Sequence, residues 1–105
     1  MKPLLVMTNL PDQASAEALA AALVGGRLAA CVNILAPCRS VYEWKGATER
    51  AEEVPLLIKT SAARYPALEA AICAHHPYAT PEVIAVPISD GLPAYLAWLA
   101  AATED

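Results

Sequence analysis

The sequence predicts a mixed α+β domain, with strands and helices in the order β-α-β-β-α-β and one more helix at the C-terminus. Two observations carry that prediction. Apolar residues alternate between two-residue and helical spacing along the chain, and Pro or Gly stands at most of the switches. Both main helices also connect strands across the sheet, and right-handed crossovers place such helices on one face of an antiparallel sheet. At 105 residues the chain is read as one domain, 1–105.

Taken in order, Leu4 to Asn9 reads as the first strand. Pro11-Asp12 stops it, and Asp12 suits the N-cap of the helix that follows. Ala16, Leu19, Ala20, Leu23 and Val24 give that helix its apolar stripe, and Gly25-Gly26 ends it with a pair suited to left-handed backbone. A second strand is expected from Leu28 to Leu35, interrupted at Ala36-Pro37 and resumed over Val41 to Lys45. Gly46 and the polar residues up to Glu53 read as a turn region, and residues 54–60 as the third strand. Pro66 suits the first turn of a second helix, with Leu68, Ala71, Ile72 and His75 on one stripe, and Pro77 ends it. Val83 to Ile88 is the fourth strand. Asp90-Gly91 turns the chain, and Leu92, Tyr95, Leu96 and Leu99 mark the last helix. The pattern is that of a ferredoxin-like sandwich.

Both faces of this sheet carry apolar residues. Leu4 and Val6 oppose Leu5 and Met7, and Ile84, Val86 and Ile88 oppose Val83 and Ala85. A sheet with one wet face alternates apolar with polar, so the second face is expected to be covered by another subunit. The stretch from Leu28 to Lys45 far exceeds the usual strand of about 5–6 residues. It predicts a hairpin that overhangs the domain, with Tyr42 and Trp44 on one side near its tip. Those two aromatics are assigned to an interface with a neighbouring copy, against the alternative that they fold back on their own subunit.

Composition narrows the function classes. Hydrophobic residues make up 57% and charged residues 17%, which excludes disorder. Seven Lys and Arg against eleven Asp and Glu leave a net charge of −4, with no basic run. Neither capture of nucleic-acid phosphates nor docking on an anionic membrane fits that balance. No apolar stretch reaches the roughly 20 residues of a membrane helix. Three Cys without a secretory signal predict reduced thiols and a cytoplasmic location.

Few residues suggest chemistry. No phosphate-binding or nucleophile-elbow motif occurs, and no catalytic constellation is readable. Cys73-Ala74-His75-His76 is the most suggestive cluster, because thiolate and imidazole suit copper and zinc and a helix sets Cys73 and His76 on one face. Two ligands do not close a tetrahedral site, so a third has to come from another strand or subunit. Cys31 and Cys38 are the other thiols. The competing reading makes Cys31 and Cys73 small core residues and His76 a helix-end group facing the dipole. Lys59, Tyr78 and Glu82 are expected to line a cleft with His76 at one end of the sheet.

Six segments together resemble the CutA divalent-cation tolerance family: T-N-L-P-D at 8–12, R-L-A-A-C-V-N-I at 27–34, S-V-Y-E-W-K-G at 40–46, L-L-I-K-T at 56–60, H-P-Y-A-T-P-E-V-I at 76–84 and Y-L-A-W-L at 95–99. The resemblance covers nearly the whole chain. It implies a ferredoxin-like subunit in a tight homotrimer with strand pairing between subunits, an assembly similar to that of PII signalling proteins. It also implies a role in tolerance of copper and other divalent ions, with no attached reaction. Carried onto this sequence, Cys31, Cys73 and His76 occupy the candidate metal positions; the first-strand Cys of some relatives is missing from Met7-Thr8-Asn9. The expectation is therefore a cytoplasmic, non-enzymatic homotrimer that binds copper or zinc weakly at subunit clefts and needs no metal to fold. The runner-up is a PII-like signalling module that takes a small metabolite between subunits and contacts an unidentified protein partner. A third reading, an enzyme using Lys59, Glu82 and His76 at the subunit interface, ranks last.

Overall fold

Eight elements follow one another in the order β1 (Pro3–Leu10), α1 (Gln13–Gly25), β2 (Cys31–Ile34), β3 (Cys38–Trp44), β4 (Ala47–Ser61), α2 (Tyr65–His75), β5 (Ile84–Pro87) and α3 (Pro93–Ala102). The structure is a computed structural model and describes residues 1–104. The strands form one antiparallel sheet in the order β2-β4-β1-β5, with β3 paired to the outer half of β4. This is the ferredoxin-like topology, with α1 and α2 as the two crossovers.

Register fixes which residues face the helices. Val6 lies opposite Ile58, Thr8 opposite Leu56 and Leu10 opposite Val54, and all six are buried. Leu19 and Leu23 of α1 and Leu68 and Ile72 of α2 close over them to make the core. Each such aliphatic side chain, fully removed from water, contributes about 1.5–3 kcal/mol before conformational entropy is counted. Asp12 starts α1 as expected, accepting a 2.8 Å bond from the Ser15 amide. That bond is also why its carboxyl lies below the usual aspartate range.

The end of α1 departs from expectation. Gly26 has φ −86°, and the left-handed residue is Arg27, at φ 59°. A side chain in that region costs about 1 kcal/mol or more. Arg27 is held there by its guanidinium, which donates to Ala101 O at 2.8 Å and Glu104 O at 2.9 Å. It thereby ties the end of α1 to the exposed carbonyls at the end of α3, a favourable place for a cation.

The hairpin also differs. Residues 47–53, expected as a turn region, are strand: β4 runs for 15 residues and pairs with β3 from Trp44↔Ala47 to Cys38↔Glu53. The turn itself is only Lys45-Gly46, at φ 51° and 81°, the mirror-image geometry that matches strand twist. Glu43 Oε1 accepts from the Gly46 amide at 2.6 Å and braces it. Over residues 47–50 the ribbon is exposed on both sides, which is why the polar residues there do not alternate with apolar ones. Its overhang stretches the molecule to 44 × 25 × 24 Å, with a radius of gyration of 14.2 Å against about 13 Å for a rounded chain of this length.

On the sheet face away from α1 and α2 lie Cys31 and Asn33 of β2, Leu57 and Lys59 of β4, Leu5, Met7 and Asn9 of β1, and Ile84 and Val86 of β5. Helix α3 packs on β4 and β1 and buries Leu99, which lies outside the main core. Ile84 and Val86 stay 48% and 42% exposed.

Candidate functional site

The end of β1, the middle of β4 at the root of the hairpin and the loop after α2 meet at one end of the domain's sheet. Pro77 organises the junction. A residue before proline is pushed out of helical backbone, and His76 accordingly takes φ −79°, ψ 135° as the cap of α2. That turn carries its imidazole inward, to 8% exposure. The Tyr78 amide donates to His76 Nδ1 at 3.2 Å, so the ring proton sits on Nε2 and is donated to Asn9 O at 2.7 Å. Both ring nitrogens are thus spent on the backbone.

Tyr78 leans on the His76 ring, with centroids 4.7 Å apart at 47°. Its hydroxyl donates to Glu53 Oε2 at 3.0 Å. Burial, followed by the bond to and charge of Glu53, pushes the Tyr78 phenol up to about 12. At neutral pH the phenol is therefore a committed proton donor and not a base. Glu53 comes from β4, where the hairpin leaves the body, and is itself 8% exposed. Across the loop, Asn9 Nδ2 donates to Glu82 Oε1 at 3.5 Å. These residues bound an open groove of ≈ 790 Å³, walled by Tyr42, Trp44 and Tyr78, with Glu53 and Glu82 as its charged groups and Asn9, Ser40 and Thr80 as neutral polar ones.

The structure brings Tyr78 and Glu82 together, as expected, with His76 behind them. It does not bring Lys59. Lys59 stands opposite Cys31 and Leu5, six residues along β4 from Glu53 and so roughly 20 Å away; its ammonium donates to Asn33 Oδ1. The cleft sits at the hairpin end of β4, and Lys59 lies near the strand's other end. Within one chain, Lys59 therefore does not meet Glu82 and His76.

Tyr42 and Trp44, 44% and 50% exposed, line the groove. Cys31 is half-buried on the outer sheet face, its Sγ 4.0 Å from Asn33 Oδ1. Cys73 is exposed on α2, and His75, expected on the apolar stripe, is exposed too, bonding Ala71 O at 2.9 Å. Because α2 ends at His75, Cys73 and His76 do not share a helix face. Among the described residues no three His, Cys, Asp or Glu side chains gather as a metal site, so one chain does not unite Cys31, Cys73 and His76. Sequence reasoning missed Asn9 and Glu53. Asn9 is a polar residue on an outer strand face whose other members, Leu5 and Met7, are apolar, which is a readable signal. Glu53 was hidden by the reading of its segment as a turn.

Comparison with known proteins matches residues 4–102 to the family model described as CutA1 divalent ion tolerance protein. The chain is 45% identical over 96 residues to a divalent-cation tolerance protein CutA of Yersinia pestis, covering 91% of this chain and 81% of that one. Among solved structures, CutA from Xylella fastidiosa superposes with a TM-score of 0.96 at 43% identity, covering 99% of this chain and 100% of its own. A periplasmic divalent cation tolerance protein CutA from Archaeoglobus fulgidus gives 0.94 at 33% identity, covering 97% and 99%.

Proposed function

The chain belongs to the CutA1 divalent ion tolerance family, and from that premise we propose that it acts as a metal-responsive homotrimer in the cytoplasm, catalysing no reaction and holding copper or zinc weakly where subunits meet. The observation that carries this reading is the pair Ile84 and Val86, nearly half exposed on a sheet face that α3 covers only in part. A second copy is the natural cover for such a surface. The edges of β3 and β5 also offer unpaired backbone for pairing between subunits.

Soft-metal chemistry falls to the thiols. Cys73 is exposed and Cys31 half-buried, and thiolates favour Cu(I) and Zn(II). With His76 engaged by Asn9 and Tyr78, a closed ligand set has to draw on a second chain. Binding of that kind is shared and weak, and the core forms without it.

Sedimentation equilibrium tests the assembly. The expected species is a trimer at micromolar concentration, dissociated by Val86→Asp; a folded single chain in the wild type overturns it. Titration with copper and zinc of wild type and of a Cys31→Ser/Cys73→Ser variant tests the ligands, and identical isotherms reject the thiols. Fractionation of the source cells tests the location. The groove under the hairpin favours a second reading, a PII-like module that binds a small metabolite. A ligand that raises Tm by mass action supports it.

A further inference from the structure

We infer that the groove beneath the hairpin is a binding site for a small organic cation, an ammonium or guanidinium on an aromatic or alkyl body, seated among Trp44, Tyr42 and Tyr78 with its charge toward Glu53 and Glu82. This deepens the small-molecule reading and rests on it only in taking the groove to be occupied.

The lining holds two carboxylates and no Lys or Arg. Glu53 is more than nine-tenths buried, yet its partner is a neutral phenol, and among the described residues neither carboxylate meets a cationic side chain. The phenol takes one oxygen of Glu53, and the other opens into the groove without a partner among the described residues. A bound cation meets it there as a charge-assisted partner. The Tyr78 proton is spent on Glu53 and one Asn9 amide N–H on Glu82, so among the described residues the only charged groups the groove presents are carboxylates, beside ring faces and the neutral hydroxyls of Ser40 and Thr80.

The walls say which cation. Three aromatic side chains offer a hydrocarbon body apolar contact and offer its charge ring faces. Trp44 already draws one cation, the Lys45 ammonium, to 5.7 Å from its ring centroid. A hard divalent ion wants about six oxygen ligands, which this wall does not supply. Phosphorylated or carboxylated metabolites meet two like charges and no cationic partner. At ≈ 790 Å³ the groove lies within the size range of small-molecule sites, roughly 300–1,000 Å³.

Calorimetric titration of the full chain in its native association state tests this, with benzylammonium as probe and benzyl alcohol, benzoate and Zn²⁺ as comparison ligands. Benzylammonium is expected to saturate at about millimolar concentration or below, with the neutral and anionic isosteres about tenfold weaker. Glu53→Gln, Glu82→Gln and Trp44→Leu are each expected to weaken it about tenfold. Glu82 and Trp44 are exposed, so those two variants retain the core if Glu53→Gln does not fold. Equal binding of benzyl alcohol or benzoate overturns the cation assignment and leaves the small-molecule reading standing. No saturable binding of any organic probe overturns both. Unchanged affinity in the Glu82 and Trp44 variants, or displacement of benzylammonium by Zn²⁺, also overturns the assignment.

Discussion

Two threonines on the core face of the sheet form a natural pair of opposites. Thr8 and Thr60 are both fully buried on central strands. Thr60 Oγ1 donates to Leu28 O at 2.6 Å, closing the chain that follows α1 onto β4. Among the described residues Thr8 Oγ1 has no hydrogen-bond partner. Replacing each with Val keeps the shape and removes the hydroxyl. An unpaired buried hydroxyl costs about 1–3 kcal/mol, so Thr8→Val is expected to stabilise by about 1 kcal/mol, taking the lower end because real cores relax. Thr60→Val strands the Leu28 carbonyl and is expected to destabilise by about 1–3 kcal/mol. Urea unfolding at one fixed protein concentration reads both, since association shifts apparent stability. In Tm, 1 kcal/mol is roughly 4–8 °C for a domain of this size. Loss of stability in Thr8→Val shows that its hydroxyl has a partner and refutes the reasoning. Equal effects at the two sites refute it as well.

Two further predictions concern the groove. The Tyr78 phenol is raised from near 10 to about 12, so folding holds its proton longer than the unfolded chain does; this contribution to stability is complete below pH 10 and disappears as pH rises through about 12. Tyr65 and Tyr95 are also raised, chiefly by burial, so the assay follows Tyr78 itself: its phenolate absorbance, taken as the difference from a Tyr78→Phe variant, is expected to move to lower pH in Glu53→Gln; an unmoved titration separates the two groups. His76→Ala leaves the Asn9 carbonyl and the Tyr78 amide without their partner, so a loss of about 2–3 kcal/mol is expected, with faster amide exchange at Tyr78. Copper and zinc isotherms are expected to stay unchanged in that variant, and lost metal binding at full stability makes His76 a ligand instead.

The element order, the two-faced sheet and the overhanging hairpin were legible because each follows from spacing. Val6, Leu56 and Ile58 alternate with apolar neighbours of the other face, and no placement of the helices covers both sets. The ribbon over 47–53 was not legible. Both faces of its outer part, 47–50, meet water, so Thr48, Glu49 and Arg50 carry no burial signal, and Lys45-Gly46 is a turn whose first residue is not among those that favour left-handed backbone. Arg27 is a similar case. Its conformation is held by α3, more than seventy residues downstream, and Gly25-Gly26 offered a local answer that the fold did not use.

The candidate site was half legible for a related reason. Tyr78 and Glu82 lie close together in sequence, so their meeting needs only one loop; Asn9 and Glu53 join them through the sheet register, which local spacing does not encode. His76 shows how the two kinds of information combine. A histidine near an exposed thiol reads as a metal ligand until Pro77 is taken into account: by forcing the residue before it into extended backbone, the proline points the ring at the end of β1 rather than along the helix. Once there, the imidazole fixes the Asn9 carbonyl with one nitrogen and the Tyr78 amide with the other, and Tyr78 in turn sets the Glu53 carboxylate. The same histidine that is lost to metal chemistry therefore aligns the phenol that faces Glu53, which is why weakening it is expected to disturb the groove while leaving Cys31 and Cys73 untouched.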